Sequence, residues 1–253
     1  MTAWRTCLSA TKQEKRLKMK RNIIASLLLA VASLAVAQPK AGTFSIIPRV
    51  GVSIATLTKD NIYTVSGDEG VELSNRWKTG MMAGFDLDYQ VLPQVSVSLG
   101  AYYSEMGCKY DETQITDRAA NVPGKYLGFN NAETNLRYIN VPLMLNMYVS
   151  HNFAVKVGVQ AGFNVYGKSE ITETKFTVND DETTDYEKPE TTKFDYNAKT
   201  FDLAIPIGLS YEYMNVIVDA RYNLGLTRIS PILGSSSPKN NAITINAAYR
   251  FTL

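Results

Sequence analysis

The sequence predicts an all-β protein, an eight-stranded antiparallel up-and-down transmembrane β-barrel behind an export signal. Three observations carry this expectation: an N-terminal stretch laid out like a cleaved leader, apolar/polar alternation of period two through most of the remainder, and connections that alternate between short and long.

Lys18, Lys20 and Arg21 form a basic cluster, an apolar stretch runs from Ile23 to Val36, and Ala35-Val36-Ala37 precedes Gln38. Charge, short apolar core and small residues at −3 and −1 are what signal peptidase reads, so residues 1–37 are read as a secretory signal peptide and 38–253 as the barrel domain. A membrane-spanning helix needs roughly 20 apolar residues, more than this stretch supplies, and Pro39 follows directly. No cysteine stands at the cleavage point, which argues against a lipoprotein anchor. Residues 1–18 fit no targeting logic, and translation from Met19 gives a normal leader, so they are read as an upstream extension of the start. A Met1–Lys18 peptide in the precursor would overturn that reading.

Cleavage after Ala37 removes seven basic residues and one acid, turning the net charge of +2 into −4 over the remaining 216 residues. The basic balance belongs to the discarded segment, and a nucleic-acid-binding class loses its only support. Cys7 is removed as well. Cys108, left alone, cannot form an internal disulfide and is read as a strand-end residue rather than a nucleophile.

Eight segments alternate with period two, at about 43–56, 78–91, 95–107, 136–149, 153–166, 200–211, 216–227 and 242–253. Each has ten residues or more, enough for a tilted strand to cross a bilayer, which takes roughly 9–11. In the fifth, Phe153, Val155, Val157, Val159, Ala161, Phe163 and Val165 share one face, opposite Ala154, Lys156, Gly158, Gln160, Gly162 and Asn164. In the last, Ile243, Ile245, Ala247, Tyr249, Phe251 and Leu253 oppose Thr244, Asn246, Ala248 and Arg250. Pro48, Pro142 and Pro206 fall inside predicted strands, where each removes a ladder donor, and local bulges are expected at them.

Short turns are expected at Leu92-Pro93-Gln94, Ser150-His151-Asn152 and Glu212-Tyr213-Met214-Asn215, and long polar loops over 57–77, 109–135, 167–199 and 228–241. Short connections on one side and long ones on the other are the habit of outer-membrane barrels, with periplasmic turns and extracellular loops. An even number of strands returns both ends to the periplasm.

Alternation alone does not say which face meets lipid. The polar face carries charges in mid-strand, Arg49, Asp86, Asp88, Lys156, Asp202, Asp219, Arg221 and Arg250, four of each sign. It is also rich in glycine (Gly51, Gly84, Gly100, Gly158, Gly162, Gly208, Gly225), which suits a narrow lumen crowded by large side chains. Tyr89, Tyr148, Phe153, Tyr211 and Phe251 end the apolar face near the turns, as an interfacial belt would. The polar face is therefore placed inside. An eight-stranded lumen is only wide enough for side chains to fill, so these charges are expected to pair as a plug rather than to line an open pore.

Two segments carry a family resemblance: Tyr138-Ile139-Asn140-Val141-Pro142-Leu143-Met144-Leu145 and Asp219-Ala220-Arg221-Tyr222-Asn223-Leu224-Gly225-Leu226, with the closing Ala248-Tyr249-Arg250-Phe251. They resemble the small outer-membrane β-barrel domain family often labelled porin family protein, across nearly all of 43–253. The resemblance implies an eight-stranded barrel akin to OmpA/OmpX-type proteins, with no family-wide catalytic residues. The chain ends in Leu253 where an aromatic is commoner, and Phe251 is the candidate for the assembly signal.

Chemistry is sparse. The only histidine, His151, falls in a short periplasmic turn, so neither a Ser/His/Asp set nor a zinc site can be assembled, and no helix exists for a phosphate loop to open. No catalytic, cofactor-binding or metal residue is assigned, and no cofactor. The loop over 168–197 is acidic; Asp180-Asp181-Glu182 with Asp185 lacks the spacing of a calcium loop and is read as a solvated run. Phe176, Tyr186, Phe194 and Tyr196 in that loop are candidates for a recognition surface.

The functional expectation is a non-enzymatic, monomeric outer-membrane barrel with a structural or surface-interaction role. Its expected partners are outer-membrane lipid and lipopolysaccharide, the barrel-assembly machinery during insertion, and an unidentified extracellular ligand held by the loops, with no nucleic acid. The rivals are a narrow pore for small solutes, a soluble periplasmic barrel carrying an apolar ligand, and last an enzyme acting on lipid.

Overall fold

The computed structural model describes residues 39–58, 62–66, 69–116, 124–179, 181–230 and 238–253, all of whose regular elements are strands. The leader and its cleavage point lie outside the described residues. Eight strands build the wall: β1 Phe44–Leu57, β2 Lys78–Leu92, β3 Val95–Tyr110, β4 Lys125–Tyr148, β5 Phe153–Val178, β6 Phe201–Tyr213, β7 Val216–Gly225 and β8 Asn240–Tyr249, which Phe251–Thr252 continues. Each pairs antiparallel with its sequence neighbours, and β8 returns to β1, from Arg49↔Ala248 to Leu57↔Asn240, closing the ring.

The phase of the alternation fixes inside and outside. Val159 is 54% exposed while Lys156, three positions away, is 5% exposed. Val50, Phe85, Leu99, Leu143, Val157, Ile207, Val218 and Ile245 face out in the same way, and all eight mid-strand charges named above are buried within the ring. Apolar residues therefore face the surroundings and polar ones the lumen, the reverse of a soluble ligand-carrying barrel. Tyr89, Tyr211 and Phe251 are exposed near the turns as expected, with Phe44 against Tyr89 at 4.5 Å and Tyr249 against Phe251 at 4.8 Å. Tyr148 is not part of that belt. Being in phase with Met144 and Asn146, it turns into the lumen and is 7% exposed.

Three expected loops prove largely to be strand. Within 57–77, Ile62–Ser66 pairs with Glu69–Leu73 as a separate hairpin, and Asn75–Arg76 pairs with the end of β3. β4 begins at Lys125 and β5 runs to Val178, so 125–135 and 167–178 are a paired extension beyond the wall. Thr113–Thr116 adds to one side of it, and Thr184–Tyr186 and Glu190–Asp195 to the other. Polar residues on both faces hid these strands from a search for amphipathic alternation, since nothing there meets hydrocarbon. The turn between β6 and β7 is only Met214-Asn215, both at positive φ (48° and 66°), the pattern of a type I′ hairpin.

The bulges expected at the prolines are absent. Register runs unshifted through Pro48↔Phe85, Pro142↔Gln160 and Pro206↔Asn223. In an antiparallel ladder a residue directs its N–H to one neighbour only, so each proline removes a bond on a single seam. Pro142 is unpaired toward β3, Pro206 toward β5 and Pro48 toward β8. Bulges occur instead at Gln90/Leu92, Asn130/Glu133 and Arg137/Tyr138, where the Asn164 amide donates to the carbonyls of Arg137 (3.4 Å) and Tyr166 (3.1 Å).

Val157→Arg, which puts a cation on the outward face at mid-wall, is expected to cost about 2–4 kcal/mol. The measurement is the yield of heat-modifiable, folded protein in detergent gels; wild-type yield would contradict the face assignment.

Candidate functional site: the lumen and its outer rim

The lumen is filled in layers. Nearest the short turns, Gln90 donates its amide to the carbonyls of Leu92 (2.7 Å) and Pro93 (3.3 Å), fixing the turn. Above it, Arg250 bonds Asp88 (2.8 Å), Glu212 (2.9 Å) and the Tyr148 hydroxyl (2.8 Å), while Ser96 and Asn146 donate to the other Asp88 oxygen.

The central layer is a five-charge network. Arg49 Nε donates to Asp86 at 2.5 Å and its Nη1 to the Asn246 amide oxygen at 3.0 Å. Asp219 takes Lys156 Nζ and Arg221 Nε, each at 2.7 Å, and Arg49 Nη1 stands 3.6 Å from it. Arg221 also donates to the Tyr102 hydroxyl, which in turn donates to Asp86. Gly84 and Gly100 make room for the Tyr102 ring: a Cβ at either would collide with it. The two layers hold Arg49, Lys156, Arg221 and Arg250 against Asp86, Asp88, Asp219 and Glu212, so the charges balance with hydrogen bonds in every direction, the condition under which buried ions are tolerated.

Seven of the eight predicted charges enter these layers. Asp202 does not; its carboxylate is held by the neutral Thr227 hydroxyl (2.5 Å) and Asn240 amide (2.9 Å). Its place is taken by Glu212, which sequence reasoning had put in a turn. The only signal available was its even spacing from Gly208 and Ser210, and that required knowing where β6 ends.

Above a small polar cavity bounded by Ser53, Tyr102, Asn140 and Arg221, the lumen ends in something the alternation does not show. Leu57 and Cys108 near strand ends and Leu136 and Tyr138 midway along β4 pack with Leu73 and Ile229 from the outer connections, all buried, and Tyr196 and Ala198 lean against them. This apolar stopper closes the mouth on the loop side. Leu73, at the end of the strand Glu69–Leu73, and Ile229 have other apolar residues close by in sequence, Val71 and Ile232, and no periodic pattern singles them out.

The remaining candidates separate. His151 is exposed in the turn between β4 and β5. Asp180 lies outside the described residues; Asp181 accepts from the backbone and hydroxyl of Thr183, and Asp185 from Asn179, so these acids organise a turn. Among the described residues no cluster of metal-ligand type is present. Phe176 stacks on Tyr126 at 5.3 Å and meets Tyr186 at 5.6 Å on the extension, Phe194 is exposed, and Tyr196 belongs to the stopper.

Residues 36–230 match the family described as outer membrane protein beta-barrel domain. The chain belongs to that family. No curated protein matches it in sequence. Among solved structures this outer-membrane barrel is similar to Ail, the attachment invasion locus protein of Yersinia pestis (14% identity, 83% of this chain and 99% of that one, TM-score 0.42). It is also similar to Neisserial surface protein A (10%, 82% and 97%, 0.39) and to outer membrane protein AlkL (16%, 87% and 94%, 0.40).

Asp219→Ala leaves Arg49, Lys156 and Arg221 with Asp86 as their remaining carboxylate, and is expected to destabilise by about 3–5 kcal/mol in urea unfolding from lipid vesicles. Asp202→Asn, on which no cation depends, should cost far less; equal losses would deny the network its role. Cys108 is fully buried in the stopper and should resist maleimide in the folded barrel yet react once it is boiled. Leu73→Asp should make it reactive without boiling.

Proposed function

We propose that this outer-membrane barrel is a non-conducting, non-enzymatic wall element that meets its surroundings through its outer loops. The observation that carries this reading is the doubly closed lumen: two ionic layers spanning the ring whose charges together balance, and an apolar stopper above them. A solute passing through would have to break buried ion pairs and wet a dry cluster, each costing several kcal/mol.

The rest of the proposal follows from the surface. Export by cleavage after Ala37 delivers residues 38–253 to the assembly machinery, with Phe251, exposed at the end of β8, offered as its signal. A ring with every wall strand paired on both sides has no edge to share with a second copy, which favours a monomer. Exposed Arg137, Lys168, Lys199 and Arg228 stand just beyond the outward apolar residues, Arg137 lying over the Tyr166 ring at 4.5 Å. Cations at that height suit the phosphates of lipopolysaccharide. The extension built on β4 and β5, with its exposed aromatics, suits an extracellular ligand.

The test is single-channel recording of the purified barrel in planar bilayers. No steady current is expected; reproducible unitary currents would replace this reading with that of a narrow pore.

A further inference from the structure

Beyond the wall, two clefts of about 670 and 330 Å³ adjoin along the seam between residues 111–116 and the outer part of β4, sharing Glu112. The larger is lined by Arg76, Trp77, Lys109, Asn131, Glu133 and Glu170, the smaller by Gln114, Gly128 and Asn130. From Gly128 to Glu133 the groove runs alongside β5 from Thr174 to Glu170, four residue steps or about 13 Å of strand. We infer that this groove binds a neutral oligosaccharide, stacked on Trp77 and hydrogen-bonded along β4; the inference deepens the surface-interaction reading and rests on it.

Four features support that occupant. Trp77 is 47% exposed, leaving indole surface for the C–H face of a sugar ring. Three of the charged lining side chains are already paired: Arg76 with Asp111, Glu133 with Lys78 (3.1 Å) and the Asn135 amide (2.8 Å), and Glu170 with Lys193 (2.7 Å). Acceptors and donors held in place suit hydroxyls, whose binding gains when the site is not reorganised. With those partners the groove brings together Arg76, Lys78, Lys109 and Lys193 against Asp111, Glu112, Glu133 and Glu170. That balance offers no net field to a polyanion or a cationic amine.

Finally, the floor has space and unmet hydrogen-bonding capacity. Gly128 contributes no side chain, and a Cβ there would meet nothing closer than 3.5 Å. Asn130, which lines the same cleft, has a buried side-chain oxygen with no hydrogen-bond partner. The bulge at Asn130/Glu133, with Asn131 at φ 49°, is where the two clefts join. An acceptor withdrawn from water and left unpaired costs about 1–3 kcal/mol, which a ligand hydroxyl would relieve.

The sequence supplies a reporter, because Trp4 lies in the leader and Trp77 is the other of the two tryptophans. The full barrel in lipid nanodiscs would be titrated with neutral hexaoses of glucose, mannose, galactose and xylose, with a heparin hexasaccharide and choline as charged probes. At least one neutral hexaose should shift Trp77 emission saturably. Calorimetry should show its affinity falling roughly tenfold or more in Trp77→Ala, and likewise in Gly128→Val, which fills the floor. His151→Ala, in the short turn at the opposite end of the barrel, should bind as wild type, and all three variants should keep heat-modifiable migration. No saturation by any neutral hexaose, tighter binding of a charged probe, or undiminished binding by folded Trp77→Ala and Gly128→Val would each overturn the proposal. Bilayer currents report on the lumen independently, so loss of this site and loss of the closed-barrel reading are separate results.

Discussion

Hydrocarbon satisfies no backbone donor or acceptor, so a sheet can live in it only if its first strand finds its last. Here that burden falls on the seam between β1 and β8, whose partners stand nearly the whole described chain apart. The same closure completes the charge network, because Arg49 on β1 reaches Asn246 on β8 and, beside it, Asp219 on β7. Backbone pairing and lumen electrostatics are one event: a chain that failed to close would expose a polar edge to lipid and part Arg49 from Asn246 and Asp219.

The interior takes the role that a hydrophobic core has in a soluble domain, with the chemistry inverted over most of its height. Tyr102 shows how tightly the ionic part is fitted. Its ring occupies the space left by Gly84 and Gly100, and its hydroxyl passes a hydrogen bond from Arg221 to Asp86. At the mouth, where the loops bring in Leu73 and Ile229, the packing returns to apolar. Outside the mouth the constraint changes again. β4 and β5 continue into water, which accepts polar residues on both faces, and a bulge at Asn130/Glu133 shifts their register there.

Most of the wall was legible in the residues. Strand number, order of connections, the outward phase of Val155–Val165 and Ile243–Phe251, and the inward phase of the eight charges all follow from period two, because each strand separates the same two environments. The errors arose where that separation fails. Tyr148 belongs chemically to an interfacial belt, and only its phase with Met144 and Asn146 sends it inward. The extension over 125–135 and 167–178 has no apolar face to announce it, and the prolines keep register because the ladder asks each for one bond on one side.

By itself the sequence determined the architecture and its inside-out polarity, since alternation and mid-strand charge are local properties that a strand carries wherever it is placed. It could not determine which charges meet. Glu212 rather than Asp202 completes the ionic layers, and Leu57, Cys108, Leu136, Leu73 and Ile229 converge on one stopper, because such contacts depend on strand stagger around a closed ring and on where loops land, neither of which leaves a periodic trace.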